Sequence, residues 1–161
     1  MHRVGQFVGY LTARVRPREE ALARRLLPHA AADLFDQMPV ADRRHGLDVA
    51  ERLVAGGVDD PEVLAAALLH DAAKGRRLRL WHRVGGVLLE RWSPRLLQRL
   101  ASPDARTSGY PWYLYLHHAE LSARAALAAG CSERTAAFIA GNPLARDFAV
   151  ADALRAADEA S

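Results

Sequence analysis

Asp60-Pro61-Glu62-Val63-Leu64-Ala65-Ala66-Ala67-Leu68-Leu69-His70-Asp71-Ala72-Ala73-Lys74-Gly75 is the stretch on which the reading of this chain turns. Asp60 and Pro61 make a strong helix start. A carboxylate caps free amides, and proline at the first helical position gives up no hydrogen bond. Seven apolar residues follow, and then a histidine and an aspartate. A buried carboxylate without a partner is costly, so a His-Asp pair closing an apolar run calls for partners from elsewhere. The two residues are adjacent on a helix, so they point about 100° apart. One ion reaches both only if it sits over the helix end.

Working outward, the pattern is helical almost throughout, with no sustained strand alternation and few β-branched residues. Upstream, Pro17 to Leu27 reads as a helix with Glu19 and Glu20 in its first turn, and Pro28 begins another that runs to about Gln37. Val40 to Ala55 is amphipathic, with Leu47, Ala50, Leu53 and Val54 expected inward, and Gly56-Gly57 ends it. Downstream, Gly75 and Arg76-Arg77 mark a loop. Leu80 to Trp92 and Pro94 to Leu100 are two helices, and Ser102 to Pro111 is the longest irregular segment. Tyr113 to Ala129 is a helix closed by Gly130. Ser132 caps the next one, which Gly141-Asn142-Pro143 stops. The last helix spans about Ala145 to Ala160. No linker divides these elements, so the expectation is one all-α domain over 1–161, a compact multi-helix bundle.

The bulk numbers agree with a globular chain. It has 161 residues, half of them hydrophobic, and a formal charge of +3. Lys74 is the single lysine, so arginine carries nearly all the positive charge. An arginine-rich surface attracts phosphorylated molecules, although a plain solvated surface is the blander reading. Cys131 is the single cysteine, which excludes an internal disulfide and fits a reducing cytosol. Met1 to Leu11 is a poor signal peptide. No run approaches the roughly 20 apolar residues of a membrane span. A cytoplasmic protein without a membrane partner is expected.

His45 lies upstream of the pair and Asp158 near the C-terminus. The ordered set His45, His70, Asp71 and Asp158 supplies two imidazoles and two carboxylates, a good set for a divalent metal. Lys74 follows Asp71 by three residues and His70 by four, hence on the same helical face. This arrangement resembles the HD-domain superfamily of metal-dependent phosphohydrolases. Leu68 to Gly75 is close to that family's central motif, including the lysine. The likeness is strongest from Asp42 to Lys74 and resumes from Tyr115 to Asp158.

The resemblance implies an HD-like bundle with its motif core at about 40–160 and a helical extension, 1–39, packed on it. It puts His45, His70, Asp71 and Asp158 in the four metal-ligand positions, around one ion of Mn, Fe, Co, Ni, Zn or Mg. It implies a phosphomonoesterase or phosphodiesterase in which a metal-activated water attacks a small phosphorylated molecule, a nucleotide by preference. Asp71 would also orient the water, and Lys74 would hold a phosphate oxygen or else simply pair with Asp71.

His117-His118 matches a further family segment, with His118 in register. There it would line the pocket or act as general acid, against the alternative of a packing histidine. Two-metal branches place another histidine about two dozen residues later. Here that region, Phe138 to Pro143, has none, which argues against a second ion. Asn142 is a poor substitute. Gly109-Tyr110-Pro111 precedes the histidines and carries no weight as a signature.

Tyr110, Trp112, Tyr113 and Tyr115, with Trp81, His82 and Trp92, would suit base stacking beside a phosphate site, but core packing is their commoner use. Arg76, Arg77 and Arg79 form either a phosphate-attracting rim or a solvated loop. Nothing resembles a sequence-reading nucleic-acid motif, and a homo-oligomer stays open. Two rivals remain. One is a degenerate domain that binds metal or nucleotide as a sensor or interaction module. The other is a helical domain whose metal only staples helices.

Overall fold

The computed structural model describes residues 13–161, all helix and turn, with no strand among them. The helices are α1 (Pro17–Leu26), α2 (His29–Gln37), α3 (Val40–Ala55), α4 (Pro61–Leu69), α5 (Leu80–Trp92), α6 (Pro94–Leu100), α7 (Tyr110–Ala128), α8 (Glu133–Ile139) and α9 (Phe148–Ala160), with a 3-10 turn at Ala145–Asp147 before α9. The all-α expectation holds. Residues 1–12, including the Met1–Leu11 stretch weighed as a signal peptide, lie outside the described residues. Residues 13–39 of the expected N-terminal extension contribute Ala23, Leu27, Ala31, Ala32, Phe35 and Met38 to the common core.

The axis of the bundle is α4. Asp60 caps it by accepting from the Glu62 amide, and Pro61 sits in its first turn. Val63 to Leu69 are all buried, because α1, α3, α7, α8 and α9 each pack against this one short helix. Each large side chain so buried contributes roughly 1.5–3 kcal/mol of transfer free energy. A helix that is apolar on every side has only a core to go to.

Two close approaches set where its neighbours lie. A side chain at Gly46 would meet the Leu68 carbonyl oxygen at 3.0 Å, so α3 touches the α4 backbone there. That contact carries His45 to the C-terminal end of α4. A side chain at Gly86 would strike the Tyr115 ring at 2.6 Å, so α5 nests against α7.

Three expectations need correction. Val54 is 55% exposed although it shares the face of Leu47 and Ala50, and it sits in the last turn of α3, just before Gly56 ends the helix. Helix α4 ends at Leu69 rather than carrying the His-Asp pair, and residues 70–77 continue as tight turns ending near Gly75, whose φ is +54°. Helix α7 begins at Tyr110, three residues early, because Pro111 fits its first turn instead of ending the loop.

Candidate metal centre

The turn after α4 is built to aim His70. Its ring Nδ1 lies 2.8 Å from the Ala67 carbonyl oxygen and donates to it, which leaves Nε2 facing away from its own helix. Metal-binding histidines commonly show this backbone bond, since it fixes tautomer and ring orientation. Asp71 turns inward and is 1% exposed. Its Oδ2 accepts from Lys74 Nζ at 2.6 Å. The buried Ser122 hydroxyl, on α7, accepts from the Ala73 amide at 3.0 Å and holds the turn against that helix.

Two other helices complete the corner. His45 Nε2, from α3, lies 2.7 Å from Asp158 Oδ1, on α9. Asp158 Oδ1 is 3.4 Å from His70 Nε2, and Asp71 Oδ1 is 3.6 Å from the same nitrogen. The two imidazoles meet edge to face at 5.1 Å. One donor atom each from His45, His70 and Asp158 falls within 4.8 Å of the others.

The charges are strongly interlocked. Burial works against the charged form of His70, but the Asp71 carboxylate and Asp158 outweigh it, and the imidazole pKa is raised to about 9. Burial also works to raise Asp71, yet His70 and Lys74 hold its carboxyl well below the usual range. Asp158 follows the same pattern, with His45 and His70 overcoming partial burial. Both acids therefore stay ionised at neutral pH. A cation held here would have to displace the His70 proton and would meet two carboxylates.

His45, His70 and Asp158 lie close enough to share one divalent ion, and Asp71 falls outside that group. A second observation is an orphan pair. His70 Nε2 and Asp71 Oδ1 are buried and make no hydrogen bond. Buried polar side-chain atoms are normally bonded, so two such atoms side by side would be open to a cation once the His70 proton is removed.

The second histidines separate cleanly. His118 Nδ1 donates to the Tyr115 carbonyl at 2.9 Å, and its pKa is lowered by burial and then by Lys74, with Asp71 opposing. It therefore lies within electrostatic reach of the site. His117 instead packs against the Tyr113 ring at 4.5 Å. Lys74 is tied to Asp71, the plainer of its two expected roles.

Asp42 and Arg83 are additions that sequence reasoning passed over. Asp42 is 1% exposed and takes the Arg83 guanidinium on both oxygens, at 2.7 and 2.9 Å. Burial raises its pKa and Arg83 opposes the rise. One signal was available: Asp42 precedes His45 by three residues, on the same helical face.

Among the rim arginines, Arg77 bonds the Ala105 carbonyl and lies over the Tyr110 ring at 5.7 Å. Trp81 and Trp92 are not core residues. They are 58% and 76% exposed, although Trp81 also stacks on the buried His82. A cavity of about 820 Å³ lies beside Val15, Glu19, Arg44 and Glu51, and none of the four candidate ligands lines it.

Comparison with models of known protein families, with curated proteins and with solved structures returns no match.

Proposed function

We propose that this chain is a metal-dependent phosphohydrolase for a small phosphorylated substrate, with a nucleotide as the favoured class. His45, His70, Asp71 and Asp158 would hold one divalent ion. The observation that carries the reading is the unbonded, buried pair His70 Nε2 and Asp71 Oδ1 beside the His45–Asp158 contact. The step from metal site to phosphate chemistry rests on the likeness of Leu68–Gly75 to the HD-domain motif.

A bound divalent ion supplies Lewis-acid charge, polarising a phosphate oxygen and lowering the pKa of a water. The rest falls to the chain. The Ala67 carbonyl keeps His70 Nε2 turned to the centre. Lys74 neutralises one oxygen of Asp71 and leaves the other free. His118, whose pKa burial lowers, would be the group that exchanges a proton with the substrate.

Elemental analysis of untagged protein beside Asp71→Ala, followed by turnover on a nucleotide panel with the ion found, tests the reading. It expects about one equivalent of Mn, Fe, Co, Ni or Zn, lost in the variant, together with release of phosphate or nucleotide. No metal after reconstitution would sink it.

One observation favours a second reading, a metal- or nucleotide-binding module without turnover. The 2.6 Å ion pair to Asp71 occupies the Lys74 ammonium that a phosphohydrolase would turn to substrate. Stoichiometric metal without hydrolysis of any nucleotide would favour this module.

A further inference from the structure

Helix α5 packs inward through His82 and Gly86 and exposes an apolar stripe on its opposite side, where Trp81 also meets the Trp112 ring edge to face at 5.7 Å. Trp81, Val84, Leu88 and Trp92 recur at helical spacing and are 58%, 53%, 43% and 76% exposed. Their positions fall on one stripe about 16 Å long, at 1.5 Å per residue, with an indole at each end. Helix α6 continues the pattern. Leu96 and Leu100, one turn apart, are exposed beside the exposed Arg95 and Arg99. Singly exposed apolar residues are ordinary, but an aligned stripe of them marks a contact surface.

Charge chooses the partner. Residues 76–100 hold seven arginines and one acid, Glu90, a net +6 in sequence, of which Arg83 is neutralised by the buried Asp42. The whole chain carries +3, so the remainder is −3. Two copies meeting face to face through this segment would bring like charge together. The first twelve residues offer no acid to cover it. A polyphosphate backbone would satisfy the arginines but leave the aliphatic stripe in water. Apolar side chains ended by indoles and flanked by arginine match a bilayer surface, where acyl chains take the stripe and anionic headgroups take the guanidinium groups.

We propose that the exposed face of α5 and α6 docks on the surface of an anionic lipid bilayer. No helix among the described residues is long and apolar enough to cross a membrane. Surface docking needs none, and the proposal departs from the sequence expectation of no membrane partner. This inference does not depend on the metal site.

The test is co-sedimentation of the full chain with vesicles of phosphatidylcholine alone and of phosphatidylcholine with one-third phosphatidylglycerol, at low and physiological salt, beside tryptophan emission spectra. The expected result is binding to the anionic vesicles only, weakened by salt, with emission shifted to the blue. Trp92→Ser and the double variant Arg95→Glu/Arg99→Glu change exposed positions and should keep the melting temperature, while each weakens vesicle binding by about tenfold or more. Absence of binding to anionic vesicles, or unchanged binding in both variants, overturns the proposal. So does a dimer, seen by light scattering, that Trp92→Ser dissociates without any vesicle binding. Binding to a nucleic-acid duplex but not to vesicles also overturns it.

Discussion

The two ends of α4 are both charged and both pinned by distant residues, yet they are finished differently. At the N-terminal end, Arg134 reaches Asp60 and Glu62 with Nη1, each at 2.7 Å, and Asp147 with Nε and Nη2 at 3.2 and 3.0 Å. Ser132 bonds Glu62 as well. All three guanidinium nitrogens are used. At the C-terminal end, His45, His70, Asp71, Lys74 and Asp158 converge, and two buried atoms are left without a hydrogen bond. A network that only holds helices together gains by saturating every donor and acceptor. One that must admit a ligand keeps positions open, and its charges stay costly until the ligand arrives.

The comparison breaks most sharply at Asp71. Asp71→Ala, with Asp71→Asn as the shape-preserving control, is expected to abolish stoichiometric metal and any hydrolysis, whereas His117→Ala keeps both. Elemental analysis and phosphate release read this, and metal retained in both Asp71 variants would show that Asp71 is not a ligand. Next in size is the contribution that the proposed ion would make to stability. At a free ion concentration about 100-fold above Kd, unfolding should become about 2.7 kcal/mol harder in the wild type and unchanged in Asp71→Ala. Melting with and without chelator measures it.

Breaking the saturated end should cost stability without touching metal. Arg134→Met strands three carboxylates. A loss of about 2 kcal/mol in urea unfolding is expected, below the figure for fully buried pairs because Asp60 and Glu62 are partly exposed. Loss of metal in this variant would mean that the two ends are not separate.

The smallest effect concerns pH. Partial burial pushes Asp60 up, but Arg134 and the Glu62 amide outweigh it and leave its pKa lowered. Ser132 and then Arg134 lower Glu62. A depressed carboxyl pKa contributes stability above the unfolded values, 3.8 and 4.5 here, and loses it as pH falls through the folded ones. Wild type should therefore lose more stability than Arg134→Met between pH 5 and pH 2, as read by melting across that range. Parallel acid limbs would remove Arg134 as the cause.

Much of the bundle was legible because helix ends are local events. Asp60-Pro61 starts α4, Ser132 caps α8 by accepting from the Thr135 amide at 3.1 Å, and Gly57, Gly130 and Gly141 take positive φ where helices stop. Errors came where two local signals competed. Pro111 carries a loop signal but serves in the first turn of α7, and the tight turns at 70–77 look like continued helix in the sequence. Exposure was less legible still. Trp81, Trp92 and Val54 are apolar by type, and only their place on a helix relative to its neighbours sets them outside.

The sequence by itself determined an all-helical chain, its breaks, and a set of metal-capable side chains in order along it. Those properties follow from caps, prolines, glycines and apolar spacing, which act over a few residues. Tertiary structure alone decided that His45 meets Asp158 across 113 positions, that Gly46 brings α3 onto the end of α4, and that Asp42 takes Arg83. It also decided that His117 packs on the Tyr113 ring. Such pairings depend on how whole helices pack around one buried axis, and that packing is a sum over the entire core.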